Sequence, residues 1–239
     1  MKAYKAFHKG LKGMGNYQFQ EGKTFRTYNK GLSRGGFHAV TDPLYCLCFI
    51  SPGSGREYHE VDISGLTDEG RPFEERDKRT AVTGSVIRIG RRMTASEMML
   101  ESYRSRMRGT TEEAEGIGAG ERVKVKDDPV FGLSRASGYR CVAVAENEDG
   151  SATASGEDCC AVAIGERAYA RVREGKHSQC GVLAVAEGKD SAAAAPLNQW
   201  ILFIDEDGNP HGFRVDGKEI KPDIYYTFKE GKPVKAKQI

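Results

Sequence analysis

The sequence predicts a mainly β protein organised as a scaffold, and three observations carry that reading. Small residues recur at every second position through 151–194, as in Ser151-Ala-Thr-Ala-Ser-Gly156, Ala161-Val-Ala-Ile-Gly165, Gly181-Val-Leu-Ala-Val-Ala186 and Ser191-Ala-Ala-Ala-Ala195. Alternation with period two sends successive side chains to opposite faces of a strand. Self-similarity at short period marks a coil stacked on itself, a parallel β-roll or solenoid, and inward Ala, Val and Cys make its interior narrow. The second observation is the 29 glycines among 239 residues, which suit short strands and tight turns rather than long helices. The third is a helix signal at Thr94-Ala-Ser-Glu97, a capping box followed by an apolar stripe of Met98, Met99, Leu100, Tyr103 and Met107.

In chain order, residues 1–65 read as an N-terminal antiparallel β unit. Ala3–Phe7 is its first strand, Tyr17 and Phe19 alternate with Gln18 and Gln20, and Glu21-Gly22-Lys23 is a turn. Gly36–Val40 and Tyr45–Ile50 are read as strands on either side of Asp42-Pro43, where proline fixes φ and stops pairing. His59, Val61 and Ile63 share one face of a further strand. Residues 66–135 read as an insertion with one helix: a mixed-charge loop at Arg71–Arg79, a strand at Val82–Ile89, the capped helix ending at Gly109, a loop at Thr110–Gly120, and an exposed strand at Arg122–Lys126. The roll is expected over 136–196, where Ala192–Ala195 is too short to nucleate a helix before Pro196. Residues 197–239 read as a C-terminal antiparallel unit: Trp200–Ile204, a hairpin loop at Asp205–Asn209, then Phe213–Val215, Asp216-Gly217, Ile220 and Tyr225–Phe228, with a last turn at Glu230-Gly231-Lys232.

Composition narrows the function. Hydrophobic content of 38% with 29% charged residues suits a soluble globular chain, and a net charge of +2 gives no global field toward nucleic acid. No signal peptide and no membrane span are read, so a cytoplasmic protein is expected. Cys46, Cys48, Cys141, Cys159, Cys160 and Cys180 lack zinc spacing and read as reduced, small hydrophobes, with Cys46 and Cys48 on one face of the expected strand.

His38 and His59 are the acid–base candidates of the first unit, although spacing sets no partner carboxylate and both also read as strand histidines satisfied by one hydrogen bond. Asp205-Glu-Asp-Gly-Asn209 lacks the remaining ligands of a calcium loop and reads as a hairpin turn; no metal site is expected. Gly116-Ile-Gly-Ala-Gly120 has the wrong spacing for a dinucleotide fingerprint. Arg88, Arg91, Arg92, Arg104, Arg106 and Arg108 gather on the insertion. They read either as a solvated face balanced by Glu97 and Glu101 or as a recognition surface, with Arg91, Arg92, Arg104, Arg106 and Arg108 as partner-binding residues. No serine or cysteine shows an activating motif.

Gly36-Phe-His38 with Tyr45 and Tyr58-His-Glu60 resembles an ADP-ribosyltransferase core, which implies NAD as substrate and Glu60 as the group stabilising an oxocarbenium-like transition state. Three blocks together resemble an uncharacterised family of bacteriophage and prophage proteins. They are Lys2-Ala-Tyr-Lys5 with Glu21-Gly-Lys-Thr24, Gly36-Phe-His-Ala39 and Asp42-Pro-Leu44; the alanine-glycine repeat; and Val215-Asp-Gly-Lys-Glu-Ile-Lys-Pro-Asp223. Ala161–Ala168 is similar to the head repeat of trimeric autotransporter adhesins, which implies a left-handed roll. These resemblances imply a non-enzymatic phage-encoded protein, without a cofactor, acting in the host bacterium's cytoplasm. The expected partner is a host protein, possible targets including a defence system inhibited in an anti-CRISPR-like manner, with no nucleic acid and no membrane. Self-association as a dimer through a flat roll face is also expected. An ADP-ribosyltransferase-like enzyme and a structural virion component are the competing readings.

Overall fold

The computed structural model describes residues 1–28, 35–50, 55–66, 81–108, 122–125, 133–138, 141–146, 148–156, 158–174 and 181–237. The protein is mainly β and divides into two units, Met1–Met98 and Met99–Ile239. The loops expected at Arg71–Arg79 and Thr110–Gly120, and Cys180, lie outside the described residues.

The first unit contains β1 (Lys2–Phe7), β2 (Thr24–Arg26), β3 (Phe37–Val40), α1 (Leu44–Phe49), β4 (Glu57–Leu66), β5 (Ala81–Met93) and the start of α2 (Ala95–Arg108). The sheet order is β2-β5-β3-β1-β4, and β5 also pairs with β4, so the sheet closes on itself through antiparallel pairs. Inside it lie Ala3, Phe7, Phe37, Val61, Ile63, Ile87 and Ile89. Phe19 joins this core, packing edge-on against Phe7, Phe25 and Phe37 at 5.0–5.9 Å between ring centroids.

Three expectations change here. Residues 45–49 of the expected strand 45–50 belong to α1, and Ile50 is its extended C-cap. Pro43 holds φ −58° and ψ −31°, already helical, and the Asp42 carboxylate accepts from the Leu44 N–H at 3.0 Å. Local capping therefore overrides the strand preference of Tyr, Cys and Phe. Residues 17–20 form no strand; a single bridge pairs Lys12 with Gln18. The boundary at 65 also moves, because β5 is the strand that pairs with β2, β3 and β4.

At α2 the capping box forms as expected. The Thr94 N–H donates to Glu97 at 2.6 Å and the Glu97 N–H donates to the Thr94 hydroxyl at 3.1 Å. Met98 and Met99 are fully buried.

The second unit is the roll. Its strands are β6 (Arg122–Val125), β7 (Leu133–Ser137), β8 (Val142–Glu146), β9 (Ser151–Gly156), β10 (Cys160–Ile164), β11 (Tyr169–Glu174), β12 (Leu183–Glu187), β13 (Ala192–Ala194) and β14 (Trp200–Ile204), followed by β15 (Pro210–Arg214), β16 (Tyr226–Lys229) and β17 (Lys232–Lys235). Even-numbered strands from β6 to β14 stack in parallel as one sheet, extended by antiparallel β15. Odd-numbered strands from β7 to β13 stack in parallel as a second sheet, extended by antiparallel β16 and β17. Each coil thus gives one strand to each sheet. Val142 lies beside Cys160, Cys160 beside Leu183, and Leu183 beside Trp200.

The interior between the sheets is filled by Ala143, Ala145, Ala161, Ala163, Ala184 and Ala186 from one side. Ala152, Ala154, Ala170, Val172 and Ala193 fill it from the other. The coil is therefore as narrow as the repeat predicts. It begins at β6 and ends at β14, longer than the expected 136–196. Trp200–Ile204 is its last parallel strand as well as the first strand of the C-terminal meander.

The corners repeat as well. Asp149, Arg167 and Asp190 occupy one corner of successive coils with φ of 55°, 53° and 55°. The Asp149 N–H donates to the Glu166 carbonyl and the Arg167 N–H to the Lys189 carbonyl, at 3.0 and 2.9 Å. At the C-terminal end Ile201, Phe203 and Tyr226 replace alanine and plug the interior. The outer strand β17 carries Lys232, Pro233 and Lys235, residues that discourage pairing with another chain.

Candidate functional site

The residues of the enzyme reading sit on β3 and β4, and alternation separates them. His59 faces the interior with Val61 and Ile63 and is 1% exposed. Its Nδ1 lies 2.9 Å from the Gly90 carbonyl, and its ring meets Phe7 edge-on at 5.6 Å. Glu60 points the other way. Lys2 Nζ lies 3.3 Å and the Arg91 guanidinium 3.1 Å from its carboxylate, while Arg91 also bonds Glu97 at 2.9 Å. A bulge between β4 and β5 at His59/Val61 produces both arrangements, since it turns Arg91 onto Glu60 and offers the Gly90 carbonyl to His59. His38 shares the Glu60 face by alternation, with β1 between their strands. The structure therefore brings Glu60 to two cations and not to either histidine.

Beside these residues lies a lysine that the sequence did not single out. Lys5 Nζ donates to the His38 carbonyl at 2.7 Å. Burial lowers its pKa from 10.5 to about 8, with the nearby Cys46 thiol opposing the shift. Burial pushes the Cys46 thiol and the Tyr58 hydroxyl upward, so both stay protonated, and the Tyr58 hydroxyl donates to the Ile50 carbonyl at 2.6 Å.

The expected arginine cluster is divided. Arg91 and Arg92 belong to the first unit, while Arg104, Arg106 and Arg108 belong to the second. Arg91 is held in the ion pairs above. Arg106 donates to the Asp158 carbonyl at 3.0 Å, and with the Tyr103–Glu187 hydrogen bond at 3.3 Å it fastens the second half of α2 to the roll. Arg88, Arg92 and Arg104 are exposed. The Arg108 side chain lies outside the described residues.

The hairpin at Asp205–Asn209 forms as a turn. The Asp205 carboxylate accepts from the Asp207 and Asn209 N–H groups, and His211 Nε2 lies 2.8 Å away. His211 is the largest cause that lowers the Asp205 pKa to about 2. A groove of about 440 Å³ runs beside this hairpin over Phe203 and Phe228. Among the described residues no group of three His, Cys, Asp or Glu side chains is placed to hold a metal ion. Cys46, Cys141, Cys159 and Cys160 are buried thiols. No helix among the described residues is long and apolar enough to cross a membrane.

The two outer faces of the roll differ in chemistry. On the first sheet the outward positions Val142, Val144, Val162, Leu183, Val185 and Leu202 are buried to 2% or less. On the second sheet the outward positions of β9 and β11 are polar, basic and aromatic, while those of β13, Ala192 and Ala194, are buried. Tyr169, Arg171 and Arg173 alternate on β11 with the inward Ala170 and Val172, and Arg135 stands on β7. Tyr169 meets Tyr225 edge-on at 5.7 Å. Sequence reading missed this face, although the run Tyr169-Ala-Arg-Val-Arg173 displays the alternation that makes it.

A family described as a domain of unknown function, DUF7666, matches residues 1–101, a span that covers the first unit and ends within α2. No curated protein and no solved structure matches the chain.

Proposed function

We propose that this chain is a non-enzymatic binding protein that presents the outside of its roll to a protein partner. The observation that supports this most is the filling of the roll, whose interior alanines are exposed by 4% or less. A coil closed in this way acts through its surface, as stacked repeat proteins do. Of the side chains of the competing enzyme reading, Glu60 is paired with two cations, and His59 is buried with Nδ1 on a backbone carbonyl and Nε2 3.9 Å from Glu57. The phage resemblance makes the partner a host protein, and inhibition of a defence system is the sharper form of that reading.

The test pairs two measurements on the full chain. Immobilised protein is exposed to bacterial lysate and retained proteins are identified by mass spectrometry, while NAD turnover is followed separately. One specific retained protein is expected, with NAD consumption equal to the blank and unchanged by Glu60→Gln. NAD turnover lost on Glu60→Gln in a folded protein, with nothing specific retained, reverses the reading in favour of an ADP-ribosyltransferase-like enzyme.

A further inference from the structure

Resting on the reading of the chain as a binding protein, we propose that the outer face of the second sheet docks an acidic protein surface. Strand register lays this face out in rows. Leu133, Ser151, Tyr169, Ala192, Thr227 and Val234 form one row across six strands. Arg135, Thr153, Arg171 and Ala194 form the next, and Ser137, Ser155 and Arg173 a third. With strands about 4.8 Å apart and alternate residues about 6.7 Å apart, the three rows run about 24, 14 and 10 Å and together are about 13 Å deep. That is well under the area of a standard interface and suits only a weak, transient contact.

The chemistry of the rows selects the occupant. The first row offers apolar groups at Leu133, 47% exposed, at the half-buried Tyr169 and at Val234, 37% exposed, while Ala192 and Thr227 between the last two are buried. The adjoining rows supply three arginines, of which Arg135 and Arg173 are exposed and Arg171 has one long contact, to Asp223 at 3.4 Å. Ala192 and Ala194 are fully buried beside the Tyr169–Tyr225 pair, so the open part of the face lies over β7, β9 and β11. Tyrosine and arginine are the residues that dominate protein–protein hot spots, and guanidinium groups bind carboxylates through two parallel hydrogen bonds. An apolar row beside a basic row fits a protein ridge edged with Asp and Glu. A nucleic-acid backbone offers phosphate to the arginines but nothing apolar to the first row, and the net charge of +2 provides little long-range attraction for it.

The probe is a fluorescein-labelled acidic copolymer of Glu and Tyr, read by anisotropy at low salt, with poly-Glu and a dT 20-mer as comparisons. The copolymer is expected to bind more tightly than either comparison. Affinity is expected to fall at least about tenfold in Arg171→Glu/Arg173→Glu and to be unchanged in Arg104→Glu. Because Arg171 contacts Asp223, Arg135→Glu/Arg173→Glu serves as a second variant that leaves that pair intact. Equal copolymer affinity in both face variants overturns the proposal, as does tighter binding of the oligonucleotide. Loss of binding only with a shift in oligomeric state on sedimentation also overturns it, by assigning the face to a second copy of the chain. The lysate capture repeated with the face variants separates the two levels. Retention of the same partner by wild type and variants rejects this face and leaves the binding function standing.

Discussion

Replacing Ala163 with phenylalanine is expected to cost the roll about 3 kcal/mol, the upper part of the usual range for overpacking. For a chain of this size that lowers the melting temperature by about 6–12 °C. Ala163 is fully buried on β10, with Ala145 beside it on one neighbouring strand and Ala186 on the other. Ala152, Ala154, Ala170 and Val172 fill the same interior from the facing sheet. Every one of these is small, so no flexible side chain nearby can rotate away from a phenyl ring. The coil must spread, and spreading breaks the parallel ladders above and below. Circular dichroism melts of the full chain provide the check. A shift under about 2 °C would mean that the interior has room, contrary to its packing.

Gly188→Ala is expected to cost a similar amount, about 3 kcal/mol, for a different reason. Gly188 has φ +118°, and a Cβ there would come 2.6 Å from the Gly165 carbonyl oxygen of the preceding coil. The clash is with backbone, so relief requires the corner itself to move. Gly208, in the hairpin at 205–209, is the control: φ is +80° but nothing lies within 4 Å of where a Cβ would stand. Gly208→Ala therefore carries only the conformational penalty of about 1–2 kcal/mol. Chemical denaturation of both variants should rank Gly188→Ala well below Gly208→Ala. Equal loss in the two would show that coil-to-coil contact at the corner contributes nothing.

Much of this architecture was legible in the residues because the roll writes its geometry locally. Alanine at every second position of β8, β10 and β12 reports a narrow interior without any knowledge of which strands pair. The Thr94–Glu97 box likewise reports the start of α2 from four residues. What escaped depended on distant or competing signals. The helix α1 is six residues rich in strand formers, and its only mark is Asp42-Pro43, which also suits a turn. In the sequence β5 looks like part of an insertion because its partner β4 lies across 67–80, and nothing in either strand encodes the other. The arginines were grouped by nearness in sequence, yet Arg91 was turned onto Glu60 by a bulge and Arg106 onto the Asp158 carbonyl. The basic-aromatic face was visible in β11, but joining it to Arg135 and Tyr225 required the strand order of the second sheet.

The most direct measurement is nuclear Overhauser spectroscopy on isotope-labelled full-length chain, read at Ala161. Stacked parallel coils require amide-to-Hα contacts from Ala161 to the strand of Ala143 on one side and to that of Ala184 on the other. Hα–Hα contacts of antiparallel pairing between these strands, or the sequential amide–amide contacts of a helix through 160–164, would contradict the stacked coil and remove the face on which the proposed partner docks.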